Sequence, residues 1–137
     1  MKIIICGSIS AAKEIIEVKA ELEKAGHSVE IPDGVKSEFM RNRTEVSQEE
    51  KASDKIKFDL IRGYYNKIKE NEAVLIVNPE KRGVKGYIGG NTFLEMGFAY
   101  VLNKKIYCLN PLPELSYVNE IMAMQPIIID GDLSKIN

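Results

Sequence analysis

At 137 residues, 45% of them hydrophobic, the chain reads as one ordinary globular domain over 1–137, long enough to bury a core without disulfides or metals. Its formal net charge is -1, with Lys, Arg, Asp and Glu spread along the chain. That leaves no electrostatic footprint for a nucleic-acid backbone or an anionic membrane, and makes a free small molecule the expected partner.

Lys2 to Cys6 is a continuous, largely β-branched run that predicts a buried strand. With no basic leader, no cleavage site and no apolar run of membrane-spanning length, a cytoplasmic protein is expected. Gly7-Ser8-Ile9-Ser10 then turns the chain into a helix from about Ala11 to Ala25, with Ile15, Ile16, Val18 and Leu22 as its apolar stripe. Gly26 suits the end of that helix, and Ser28 to Ile31 predicts a second strand closed by Pro32-Asp33-Gly34. The one histidine, His27, falls in the reversal before this strand, where it reads as a surface turn residue rather than a catalytic one.

Residues 35–44 are polar and without period, either a lid over a site or a connection. Glu45 to Glu70 reads as one long helix with Ala52, Ile56, Leu60, Ile61, Tyr64, Tyr65 and Ile68 on one side. A strand of five or six residues spans roughly 17 to 20 Å, which a helix covers in about 11 to 13 residues. Counted back from Glu70, the rim of the sheet comes near Lys57 or Asp59, and the earlier turns project past it. Such an overhang would cap the site or meet another subunit, so a homodimer or higher homo-oligomer is expected.

A third strand, Ala73 to Val77, is followed by the loop Asn78 to Lys85 and then by Gly86-Tyr87-Ile88-Gly89-Gly90-Asn91-Thr92-Phe93-Leu94-Glu95. This glycine-rich entry predicts a helix from near Thr92 to Leu102, with its free N–H groups facing whatever lies above the sheet. A fourth strand at Lys105 to Leu109, a short helix at Glu114 to Met124 and a last strand at Pro126 to Asp130 complete the chain. Strict alternation of five strands and four helices gives an α/β fold: a single flavodoxin/Rossmann-like domain whose parallel sheet has the order 2-1-3-4-5 and helices on both faces. In that order Cys6 and Cys108 stand two strand spacings apart, roughly 9.6 Å, too far for a disulfide, and both read as core thiols. Neither a metal site nor a cofactor motif is present: there is no CxxC spacing, no Walker sequence and no GxGxxG.

The switch point of this order lies between strands one and three, and the loops leaving those strands carry both glycine-bearing turns. Gly7-Ser8-Ile9 before a helix suits a phosphate, through N–H groups, a hydroxyl and the positive helix end; the equal alternative is that Ser8 or Ser10 serves only as a cap. Thr92-x-x-Glu95 has the spacing of a capping box, in which Glu95 would bond back to the N–H of Thr92.

Gly90-Asn91-Thr92-Phe93-Leu94-Glu95-Met96-Gly97-Phe98-Ala99 resembles the motif of the nucleoside 2-deoxyribosyltransferase superfamily, a glycine-rich turn followed by a helix whose glutamate is the nucleophile. Ile5-Cys6-Gly7-Ser8-Ile9 resembles the opening of the 2′-deoxynucleoside 5′-phosphate N-hydrolases of that superfamily, where the serine helps hold the 5′-phosphate. The order of elements agrees over nearly the whole chain. The resemblance implies Glu95 as nucleophile and a pocket built from Gly7, Ser8, Ile9, Gly89, Gly90 and Asn91. Asn78 and Tyr87 flank the same opening, and Ser116 and Tyr117 are the residues placed to reach a neighbouring subunit's ligand. Family members also carry an aspartate on the helix before strand three. Asp59-Leu60 supplies that pattern here, about a turn and a half earlier than the family's distance, at which Tyr64 stands instead.

The chemistry implied is cleavage or transfer at the N-glycosidic bond of a nucleoside or nucleoside 5′-monophosphate. A carboxylate beneath C1′ answers the positive charge that builds on the sugar, and a proton donor, Asp59, answers the negative charge on the leaving base. Two other readings stand beside it. Gly89 to Glu95 also resembles the Pro-Gly-Gly-x-Gly-Thr-x-x-Glu loop of phosphoribohydrolases acting on cytokinin-like nucleotides, without its proline and third glycine. In the other, the domain is a sensor that binds a nucleotide without turning it over.

Overall fold

The computed structural model describes residues 1–35 and 59–137. Five strands alternate with helices: β1 (Lys2–Cys6), α1 (Ala12–Lys24), β2 (Ser28–Glu30), α2 (Leu60–Glu70), β3 (Ala73–Ile76), α3 (Gly90–Val101), β4 (Lys105–Cys108), α4 (Val118–Ala123) and β5 (Ile127–Ile128). Single 3-10 turns precede α1 at Ile9–Ala11 and close the chain at Leu133–Lys135.

The sheet has the order β2-β1-β3-β4-β5, and each neighbouring pair is parallel, with Ile4 opposite Val74 and Val74 opposite Ile106 at its centre. Alternate residues of β1 serve opposite layers, as the two-residue period of a strand requires. Ile3 and Ile5 pack with Ile15 and Leu22 of α1, whereas Ile4 and Cys6 pack with Tyr64 and Ile68 of α2, Met96 and Ala99 of α3, and Ile121 of α4. Helices therefore cover both faces, and the apolar runs of β1 and β3 are buried throughout, which is why they show no polar alternation in sequence. Among the described residues no helix is long and apolar enough to cross a membrane.

Three elements depart from the sequence expectation. The helix expected over Glu45–Glu70 begins at Leu60, because Asp59 has φ 46° and ψ 50°, a left-handed conformation through which a right-handed helix cannot continue. Residues 45–58 of that expected helix, with the overhang argued from them, and residues 36–44 of the loop lie outside the described residues. The last helix is six residues long, since Pro113 and the anchored Tyr117 hold its expected first turn in another path. The strand expected over Pro126–Asp130 is only Ile127–Ile128, although the chain stays beside β4 through Ile129 N–H to Cys108 O at 2.9 Å and Gly131 N–H to Leu109 O at 2.8 Å.

Cys6 and Cys108 are free, buried and separated by β3. His27 lies at the opposite end of the sheet from the switch-point loops, its Nδ1 3.1 Å from the backbone nitrogen of Met1.

Candidate active site

At the carboxyl ends of β1 and β3 the chain backbones come close together. A Cβ on Gly7 would lie 3.0 Å from the Val77 carbonyl oxygen and 3.2 Å from Ile15 Cδ1, so this turn is fitted to a residue without a side chain. Ser8 caps the 3-10 turn that follows: its Oγ accepts from the Ser10 N–H at 3.2 Å and lies 2.8 Å from Ser10 Oγ. The same oxygen accepts from Lys81 Nζ at 3.2 Å, a bond that ties the two switch-point loops together. Ile9 is exposed, and its Cδ1 leans against Gly34.

The second loop delivers Glu95. Its helix begins earlier than the spacing suggests: α3 starts at Gly90, with Gly89 as the extended N-cap and no side-chain cap bond. Glycine at the first helical position costs little there, because the N–H groups of the first turn have no helical partners in any case. Thr92 is thus the third residue of the helix and Glu95 the sixth, so the capping-box reading of Thr92 and Glu95 fails. Glu95 instead lies in the second turn, buried to 7% exposure. A carboxylate is rarely buried without partners that hold it.

Cys6 and Tyr64 both feel its charge. Burial pushes the Cys6 thiol well above its usual range, the Glu95 carboxylate pushes it further in the same direction, and a hydrogen bond from Tyr64 opposes them. The Tyr64 phenol is raised by its burial first and then by Cys6 and Glu95. Its hydroxyl donates to the Ile5 carbonyl, which fixes α2 against the end of β1. Tyr64 is therefore the polar side chain that α2 sends, with Ile68, into the layer beneath α3. Asp59, by contrast, is exposed and pairs with Arg62 at 2.9 Å on the surface. The backbone of Asp59 is left-handed, with φ 46°.

Asn78 is buried and spends its side chain on the scaffold. Its Nδ2 lies 3.3, 3.2 and 3.4 Å from the carbonyl oxygens of Gly86, Asn110 and Pro111, and its Oδ1 accepts from the Asn110 N–H at 3.0 Å. These are the strand-end, loop-joining bonds of an asparagine. Tyr87 lies across Gly89, where a Cβ would come within 3.2 Å of its ring. Tyr117 stacks on Phe93 at 4.9 Å and donates its hydroxyl to the Ile88 carbonyl of its own chain, which engages the group considered for a neighbour's ligand. Burial, then the nearby Tyr87, raises its phenol. Ser116, Gly90 and Asn91 stand at the exposed rim.

No sequence-family model matches the chain, and no curated protein gives a significant sequence match. Solved structures do match. The 2-deoxyribosyltransferase of Bacillus psychrosaccharolyticus aligns at TM-score 0.53 and 16% identity, over 93% of this chain and 98% of that one. The chain has the fold of a 2-deoxyribosyltransferase. The CMP N-glycosidase of Clostridium botulinum aligns at TM-score 0.51 and 18% identity, over 93% of this chain and 85% of that one. Fold and loop order are thus shared with two proteins whose names describe work on N-glycosidic bonds, while most side chains differ.

Two residues of the site were not among the sequence candidates. Tyr64 stood out only as the occupant of the aspartate's place, and an aromatic at helical spacing reads first as core. Lys81 carried no local signal at all, because its meeting with Ser8 spans 73 positions of sequence.

Proposed function

We propose that the protein cleaves or transfers the N-glycosidic bond of a nucleoside or nucleoside 5′-monophosphate, with Glu95 as nucleophile. The observation that carries this reading is a carboxylate buried in the second turn of α3, at the switch point of the sheet. An oxygen of Glu95 attacks C1′ as the C1′–N bond breaks, and the bonding pair leaves with the base, which takes up a proton. The glycosyl ester is then resolved at C1′ by water, giving free sugar, or by a second base, giving a new nucleoside, and the carboxylate is regenerated. Hydrolase and transferase thus share one intermediate. The two solved structures of the same fold, a CMP N-glycosidase and a 2-deoxyribosyltransferase, support this class of chemistry.

The role of proton donor falls to Asp59 in this reading. Its surface pairing with Arg62 is the observation that favours the rival, a domain that binds a nucleotide without turnover. Incubation with nucleosides and their 5′-monophosphates, followed chromatographically for free base, separates the two. Release of base upholds the enzyme, and tight binding with no release upholds the sensor. If Asp59 protonates the base, Asp59→Asn will slow substrates with poor leaving groups more than those with good ones.

A further inference from the structure

Helices α2, α3 and α4 lie side by side on one face of the sheet, with α3 in the middle over β3 and β4, while α1 covers the other face. The two outer surfaces are built differently. That of α1 is charged, with Lys13, Glu14, Glu17 and Glu21 exposed, and α1 exposes no large apolar side chain. On the opposite side stand six of the eight exposed large apolar side chains among the described residues: Leu60 and Ile61 on α2, Leu94, Tyr100 and Val101 on α3, and Met122 on α4. The only charge of α3 is Glu95, which is buried, so the outer face of this helix carries none. A helix face turned to water ordinarily carries charged side chains, as α1 shows in the same molecule. Gly97 lies on the outer face of α3 in mid-helix, where glycine weakens a helix. A Cβ there would meet nothing within 4 Å, so no contact among the described residues calls for a glycine. Tyr65 of α2 meets Phe98 of α3 edge to face at 5.2 Å between ring centroids, which joins the two helices into one surface.

We infer that this face is covered by a second copy of the same chain, in a two-fold pair whose axis runs along α3 and sets the α2 of each copy against the α4 of the other. An interface of a chain with itself brings each residue near the axis against its own counterpart, so a charge there would repel itself. Leu94, Gly97 and Val101 line the outer face of α3 with nothing to repel, and Gly97 lets two helix backbones approach closely. The flanks are of opposite sign. α2 carries Arg62, Lys67 and Lys69 against the single Glu70, whereas the only charge of α4 is Glu120. An axis along α3 keeps height and exchanges the flanks, so basic α2 meets acidic α4; an axis across α3 would set basic α2 on basic α2. Arg62 and Glu120 are each the third residue of a helix that starts at the same end of the sheet, which places them at matching heights. Arg62 holds Asp59 through one amino group at 2.9 Å and keeps further N–H donors for a second carboxylate. A foreign partner would not require the two flanks to match each other, and a second copy does. The inference is independent of the proposed function, since it concerns the side of α3 turned away from Glu95.

The whole chain at micromolar concentration should sediment at twice the mass of one chain. Val101 is 76% exposed, and a lysine suits the last turn of a helix, so Val101→Lys should keep native circular dichroism. It sets like charges against each other across the axis and should raise the dissociation constant of the pair roughly a hundredfold or more. Val101→Cys tests the direction of the axis: this residue stands at one end of α3, and only an axis along the helix brings two such ends together, so mild oxidation should cross-link the pair. The native thiols are both buried and stay out of that reaction. Arg62→Glu and Glu120→Arg should each weaken the pair, and the double variant should recover it. A wild type that sediments as one chain overturns the inference and leaves the face to a different partner. A pair indifferent to Val101→Lys, a Val101→Cys variant that does not cross-link, or a double variant no tighter than the single ones overturns it as well.

Discussion

The hydroxyl of Tyr64 on α2 donates to the backbone carbonyl of Ile5 near the end of β1, inside the layer that holds Glu95 and Cys6. The bond locks a helix to the strand from which the first site loop departs. Tyr64→Phe keeps the ring but removes the donor and leaves a buried carbonyl with one partner fewer. The expected cost is about 1 to 2 kcal/mol in urea unfolding, with the fold retained. Because the phenol also lies in the field of Glu95, kcat should fall while KM for the same substrate changes less.

At Gly86 the loop between β3 and α3 passes close to the loop after β4. Its φ is +67°, and a Cβ there would stand 2.1 Å from the Pro111 carbonyl oxygen, so both backbone conformation and space demand glycine. Gly86→Ala should cost about 4 kcal/mol or more, read as a collapse of the thermal midpoint or loss of soluble protein. Asn78→Ala removes the amide that ties the same two loops together and should cost about 2 to 4 kcal/mol. Were Asn78 mainly a ligand contact, its replacement would leave unfolding unchanged and raise KM alone.

The two core thiols predict an alkaline limit to stability. Burial pushes the Cys108 thiol from 9.0 up to about 12. Between those values the unfolded chain has lost a proton that the folded chain keeps. Stability is therefore full below about pH 9 and declines as pH rises toward about 12, by about 4 kcal/mol from this group. Cys6 is raised in the same direction, first by burial and then by Glu95. Urea midpoints measured across this range should fall less steeply in Cys108→Ala than in wild type. In the native state neither thiol should react readily with a thiol reagent at neutral pH.

The sheet order was legible in sequence because its determinants are local and redundant. The buried runs at β1, β3 and β4 alternate with amphipathic stretches, and parallel crossovers leave few arrangements for such a series. Glu95 was legible as a residue, through the glycine-rich turn before it, but its position in the helix was not. Whether Thr92 caps the helix or sits in its third position depends on where α3 starts, and Gly90 and Asn91 gave no sign that they were helical. Asp59 shows a similar limit: a periodic apolar pattern runs through it, and only its left-handed backbone reveals that α2 begins after it. The bond from the Tyr117 hydroxyl to the Ile88 carbonyl, 29 positions away, was not legible. Contacts of that range have no trace in the local pattern.

The covalent role of Glu95 is the centre of the account, and Glu95→Gln tests it most directly. The amide matches the carboxylate in shape and can be held by hydrogen bonds in the same buried position, so folding and substrate binding should persist. It cannot form the glycosyl ester. On whichever nucleoside or 5′-monophosphate the wild type cleaves, kcat should fall by roughly three orders of magnitude or more with KM little changed. A Glu95→Gln variant that folds, binds and releases base at the wild-type rate would contradict the covalent mechanism.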